Sequence, residues 1–220
     1  MFYEEQFSNI QNDKIFVSLG NYCLTSMILK KYGLKNESYP FDWMISKMDN
    51  IIEIIKDDFK EFLNKKNYTL IGKGTKNNIY YSNTNKLFNY KIISCDHQHH
   101  NLLEDKDYQY ISRCVERFRN LKYKNKQIIF LMIQPSFHSN LNINKQQCQD
   151  LYDILLNKFG SNIKLKIFNL KTMNNYKYNE IKINENTVIY ELISKLYIGE
   201  CGMVWYCKRG LKKFLDIINN

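Results

Sequence analysis

Proline is nearly missing from this chain: Pro40 and Pro135 are the two it has in 220 residues, and the glycines number only eight. No low-complexity linker, internal repeat or break in composition interrupts it, so one domain spanning residues 1–220 is the expected organisation. A second absence concerns cysteine pairing. The six cysteines, at 23, 95, 114, 148, 201 and 207, form no Cys-x-x-Cys pair and no dense framework, which excludes a disulfide-stapled scaffold and points to a reducing, cytoplasmic compartment. The first residues, Met1-Phe2-Tyr3-Glu4-Glu5, lack the basic-then-apolar profile of a signal peptide. No apolar run approaches the roughly 18 residues of a membrane span, so a soluble chain with no membrane partner is expected. Arginine is scarce too, at four, while lysine, asparagine, isoleucine, tyrosine and phenylalanine, all with A/T-rich codons, abound. The formal charge of +10 would suit a phosphate backbone. A lysine excess set by codon usage is spread along the chain rather than gathered into a stripe, so nucleic acid is not an expected partner.

What is present is apolar periodicity. A domain of this length buries roughly 70% of the surface its unfolded chain exposes. Residues 14–19 read as a buried strand, and Leu24, Met27, Ile28 and Tyr32 recur at helical spacing over residues 23–32, with Gly33 as the stop. Residues 36–43 form a loop, because Pro40 pushes Tyr39 out of the helical region. A long amphipathic helix is predicted over residues 48–63, followed by strands at 68–71, 79–81 and 87–94 with a turn at Gly72-Lys73-Gly74. That Gly-x-Gly lies in no complete phosphate or dinucleotide fingerprint, and no cofactor is expected. Helices at 107–123 and 146–159 then alternate with strands at 127–134, 163–170 and 187–193, and a helix over 210–218 ends the chain. Alternation of this kind predicts an α/β fold: a single three-layer αβα domain around a mainly parallel sheet, with a small β insertion at residues 64–90.

The chemistry-bearing residues fall into four groups. Cys23 opens the helix after Gly20, where unpaired backbone N–H groups and the helix dipole favour a thiolate; it is the candidate nucleophile, against the plainer reading of a small buried hydrophobe. Gly20 and Asn21 form the substrate-facing turn before it. Cys95-Asp96-His97-Gln98-His99-His100 follows a predicted strand and holds three of the four histidines. His97 or His100 could serve the thiol as general base. Cys95, His97 and His99 or His100 could also ligate a metal, but no second short-spaced pair completes such a site, and none is expected. Arg113 and Arg117 stand one helical turn apart and could clamp an anionic group of an unknown substrate, or else pair with Glu116, Asp107 or a neighbouring carboxylate. Asp42, in the rigid segment Tyr39-Pro40-Phe41-Asp42-Trp43, could orient the catalytic groups or meet an arginine. Nothing in the sequence sets an oligomeric state.

Ser18, Leu19, Gly20 and Cys23, then Ser38-Tyr39-Pro40-Phe41-Asp42-Trp43, an Ile-rich helix ending near Phe59, a later histidine motif and Arg117-Phe118 together resemble an uncharacterised family. It is described as "putative papain-like cysteine peptidases" of bacteria and large DNA viruses. The likeness is strongest over residues 14–63 and weaker over 95–121. It implies a cysteine-dependent hydrolase, by peptidase or acyl-transfer chemistry, with Cys23 as nucleophile and a histidine of the 97–100 cluster as base. The family pattern follows its histidine with Asp; here Asn101 follows His100 and Asp96 precedes His97. The base is thus His97 or His100, and the third member Asp42, Asp96 or Asn101. The likeness also brings in an α+β papain-like layout as the alternative fold. The alternative functions are a nucleotide- or sugar-binding or transferase α/β domain in which Cys23 is a non-catalytic wall residue, and an interaction protein with a degenerate site.

Overall fold

A computed structural model describes residues 13–20, 23–45, 47–73, 79–83, 91–94, 100–135, 143–172, 174–194, 196–198, 204–206 and 208–219. In chain order the elements are β1 (Lys14–Ser18), α1 (Leu24–Lys31), β2 (Met44–Ile45), α2 (Met48–Lys56), β3 (Tyr68–Lys73), β4 (Ile79–Asn83), β5 (Lys91–Ser94) and α3 (Asp105–Arg119). They continue with β6 (Gln127–Pro135), α4 (Lys145–Phe159), β7 (Ile163–Thr172), β8 (Lys177–Asn184), β9 (Thr187–Ser194), β10 (Leu196–Ile198), β11 (Val204–Tyr206) and α5 (Lys208–Asn219).

The central sheet has the order β1-β6-β7-β9-β8. β1, β6, β7 and β9 run parallel, and β8 is an antiparallel edge. The molecule is therefore α/β with a mixed, mostly parallel sheet. β6 explains why its sequence is an unbroken apolar run: residues 128–133 are at most 3% exposed, as a strand covered on both faces requires. Its alternate residues feed two clusters. Ile128, Phe130 and Met132 pack with Ile51, Phe59, Phe118 and Leu155, whereas Ile129, Leu131 and Ile133 pack with Ile28, Leu29, Phe214 and Ile218.

The predicted helix over 48–63 stops at Lys56, because the chain turns through left-handed backbone at Asp58 (φ 51°) and Phe59 (φ 64°). Helical spacing of apolar residues runs on past that break because Phe59 and Phe62 are both fully buried, Phe59 with its ring 5.5 Å from Phe41 and 5.3 Å from Phe118. β8 answers to no prediction. Its residues are a mixture of exposed and half-buried with no strict alternation, the weak pattern of an edge strand, and the β8–β9 hairpin interrupts the helix–strand alternation read from the sequence. The β-rich stretch does form strands, in a four-stranded antiparallel sheet of order β2-β5-β4-β3 that takes in β2 from before residue 64. Among the described residues no helix is long and apolar enough to cross a membrane.

Candidate active site

β1 hands over to α1 through a turn that fits one residue type. The Leu19 amide continues the β1–β6 pairing by donating to Leu131 O at 2.9 Å, and the Gly20 amide donates to Ser18 Oγ at 3.3 Å. Gly20 has φ +73°, and a Cβ there would stand 2.9 Å from Phe41 O. The loop that carries Phe41 thus lies directly against the turn. Cys23 is the first residue of the helical turn, with φ −63° and ψ −14°, and its carbonyl accepts from Met27 N at 3.0 Å. It is a half-buried thiol, whereas Cys114 and Cys148 are buried. Burial pushes those two thiols up to about 11 and about 12, which makes them inert at neutral pH.

Asp42 is 1% exposed. Its Oδ2 lies 2.6 Å from Lys35 Nζ and accepts from the Tyr39 amide at 2.9 Å. Burial raises its pKa above the usual carboxylate value, with Lys35 opposing. Lys35 Nζ also donates to Ser26 Oγ of α1 at 2.5 Å and stands 5.1 Å over the Trp43 ring. The carboxylate of Asp42 is thus engaged by a lysine, a backbone amide and the Ser26 hydroxyl.

His100 has a different carboxylate. Its Nδ1 lies 3.0 Å from Asp107 Oδ1, while Asp107 Oδ2 accepts from the Asn101 amide at 2.7 Å. A carboxylate only accepts, so Nδ1 carries the hydrogen, and in a neutral imidazole Nε2 then holds the lone pair. The imidazole is further held against Tyr110, ring centroids 4.1 Å apart. Asp107 sits in the first turn of α3, where the helix dipole favours a negative charge.

His100 and Lys35 border one cleft of about 380 Å³, lined also by Lys30, Ser38, Trp43 and Tyr110. Cys23, Ser26 and Lys30 are spaced at i, i+3 and i+7, which sets them on one face of α1. The thiol therefore heads the helix face whose later residues bond into the cleft and line it. Arg117 donates to Ser38 O at 3.3 Å and Arg113 is exposed; the third arginine of this helix, Arg119, pairs with Asp58 and Glu116.

Asn21 and His97 lie outside the described residues, as do Cys95, Asp96 and His99. Among the described residues no group of three or more His, Cys, Asp or Glu could hold a metal ion. Asp107 was expected only as a partner for the arginines and instead pairs with His100; Lys35 was not singled out by the sequence. The signal for Asp107 was its place in the first turn after the histidine cluster; Lys35 looked like any other lysine of a lysine-rich chain.

The profile of a family described as "Putative papain-like cysteine peptidase" matches residues 14–154, a span that runs from β1 into α4 and holds Cys23, Asp42, His100 and Asp107. An uncharacterized protein of Acanthamoeba polyphaga mimivirus is 29% identical over 171 residues, which cover 70% of this chain and 75% of the viral protein. No solved structure matches the chain.

Proposed function

The chain belongs to the family described as putative papain-like cysteine peptidases, and from that premise we propose a cysteine-dependent hydrolase with Cys23 as nucleophile, His100 as general base and Asp107 as the group that orients the imidazole. The observation that carries this is the His100–Asp107 pair, Nδ1 and Oδ1 3.0 Å apart, a contact that in the neutral ring assigns Nε2 the task of accepting a proton. Cys23 at the head of α1 supplies the thiol, and the α1 dipole and the imidazolium both favour its thiolate. Sulfur attacks a substrate carbonyl carbon, His100 returns the proton to the leaving group, and water then cleaves the thioester with His100 again as base. The oxyanion finds its donors in backbone amides of residues 22–24. Gly20 and Asn21 border the substrate, Trp43 and Tyr110 wall the cleft, and exposed Arg113 can meet an anionic substituent.

His100 is taken as the base because it has a carboxylate partner; His97 lies outside the described residues. Asp107 takes the orienting role in place of Asp42, whose charge is directed at Lys35. The three-layer αβα arrangement is part of the same reading, supported by α1 and α5 sharing one apolar cluster and α2, α3 and α4 the other. So is a single domain with residues 64–90 as a β-rich insertion.

The test is the pH dependence of Cys23 alkylation by iodoacetamide, followed by peptide mass spectrometry. Cys23 should show a midpoint about one unit or more below the ~8.5 of an ordinary thiol. His100→Gln and Asp107→Asn should both move it back up. A Cys23 midpoint at or above the ordinary value, or one indifferent to His100→Gln, would refute the assignment.

A further inference from the structure

At the cleft wall Lys35 belongs to a charge pair that the proposed reaction does not use. Lys35 and Asp42 side chains are 8% and 1% exposed, and Asp42 Oδ1 has no hydrogen-bond partner. Removing two ions from water is costly, and apolar residues of similar volume commonly hold a fold as well or better. Stability alone therefore does not account for the pair.

Its connections do. Lys35 Nζ reaches Ser26, one turn along α1 from Cys23, and lies over Trp43 in the cleft wall. Asp42 bonds the Tyr39 amide, fixing the loop whose Phe41 carbonyl backs the Gly20 turn. Ser38, at the start of that loop, accepts from Arg117 of α3, and α3 also carries Asp107 and the Tyr110 that stacks on His100. One ion pair thus joins the thiol helix, the cleft loop and the helix that orients the imidazole.

We propose that Lys35, acting through Asp42 and Ser26, is a positioning residue that sets the Cys23 end of α1 against the His100–Asp107 wall. The proposal rests on the hydrolase reading above. Lys35 touches no reacting atom; it fixes how close the thiol and imidazole stand, and hence how far the imidazolium lowers the thiol pKa. Removing Lys35 alone would leave a buried carboxylate held only by the Tyr39 amide and the Ser26 hydroxyl, a defect that unfolds proteins for reasons unrelated to the site. The decisive variant therefore removes both charges.

The experiment compares the full chain with Lys35→Met/Asp42→Leu and with the milder Ser26→Ala, each read by thermal melting and by the pH midpoint of Cys23 alkylation with iodoacetamide. The double variant is expected to melt near the wild type, while its Cys23 midpoint rises by about 0.5–1 unit as the imidazole draws away. Ser26→Ala should raise the midpoint in the same direction with little change in Tm. A double variant that keeps the wild-type midpoint overturns the proposal, since the pair would then be structural; where that variant does not fold, an unshifted midpoint in Ser26→Ala overturns it. A wild-type midpoint already at the ordinary thiol value sinks the hydrolase reading instead, so the two failures are told apart.

Discussion

A side chain at position 20 would meet two obstacles that arise from distant parts of the sequence. The backbone there has φ +73°, and a Cβ would press on Phe41 O at 2.9 Å, an atom of the backbone that cannot rotate away. Left-handed backbone costs a non-glycine residue about 1–2 kcal/mol, and the clash adds to it. Gly20→Ala should therefore lose about 2 kcal/mol or more, a drop of about 4–8 °C in Tm for a chain of this size; an unchanged melting curve would mean that the loop yields freely. A turn at Gly20 is legible in the sequence, because a strand pattern ends there and a helix pattern follows. The reason for glycine is not, because Phe41 lies far along the chain. Asp107 illustrates the same limit. An acid in a helix's first turn is explained by the dipole alone, and its bond to His100 follows from where the preceding loop folds back.

At the scale of elements, one hydroxyl ties α1 to the backbone of β6, beside the apolar packing between them. β1 ends at Ser18 beside Leu131, and its last amide contact is Leu19 to Leu131 O. Ile133, two residues further along β6, would have an unpaired amide were it not that it donates to Thr25 Oγ1 of α1 at 3.0 Å, in a buried position. Thr25→Val keeps the shape and removes the acceptor, and an orphaned buried amide costs about 1–3 kcal/mol. Urea unfolding should show that loss with an unchanged m-value, whereas Thr25→Ser, which restores the oxygen, should recover much of it. Elements with a strong apolar pattern were legible to within a few residues: β6, α4 and α5 lie close to the predicted 127–134, 146–159 and 210–218. Those decided by other forces were not. α2 ends where aromatic packing of Phe59 overrides its period, and β8, an exposed edge with polar residues on both faces, has little pattern to show.

Across the whole molecule the excess of lysine has a consequence away from the candidate site. Lys166 points from β7 toward α5, is 6% exposed, and donates to Ile217 O at 2.6 Å near the end of that helix. Burial, with the like charges of Lys164 and Lys14, lowers its pKa from 10.5 to about 8. Below pH 8 it is charged in both the folded and unfolded chain, and the cost of burying that charge is fully present. Between pH 8 and 10.5 the unfolded chain holds the proton that the folded chain has released, so the free energy of unfolding rises with pH, by at most about 3 kcal/mol at 1.36 kcal/mol per unit. The thiols of Cys114 and Cys148, raised by burial, act with the opposite sign above pH 9, so the absolute curve conceals the lysine. The difference between wild type and Lys166→Met removes them from the comparison. That substitution also deletes the bond to Ile217 O, which shifts the level of the difference but not its slope. Urea unfolding at pH 7, 8, 9 and 10 should give a difference that is flat to pH 8 and then climbs in favour of the wild type. Two parallel curves would show that Lys166 keeps its proton in the fold, with the carbonyl of Ile217 and nearby acids compensating the burial.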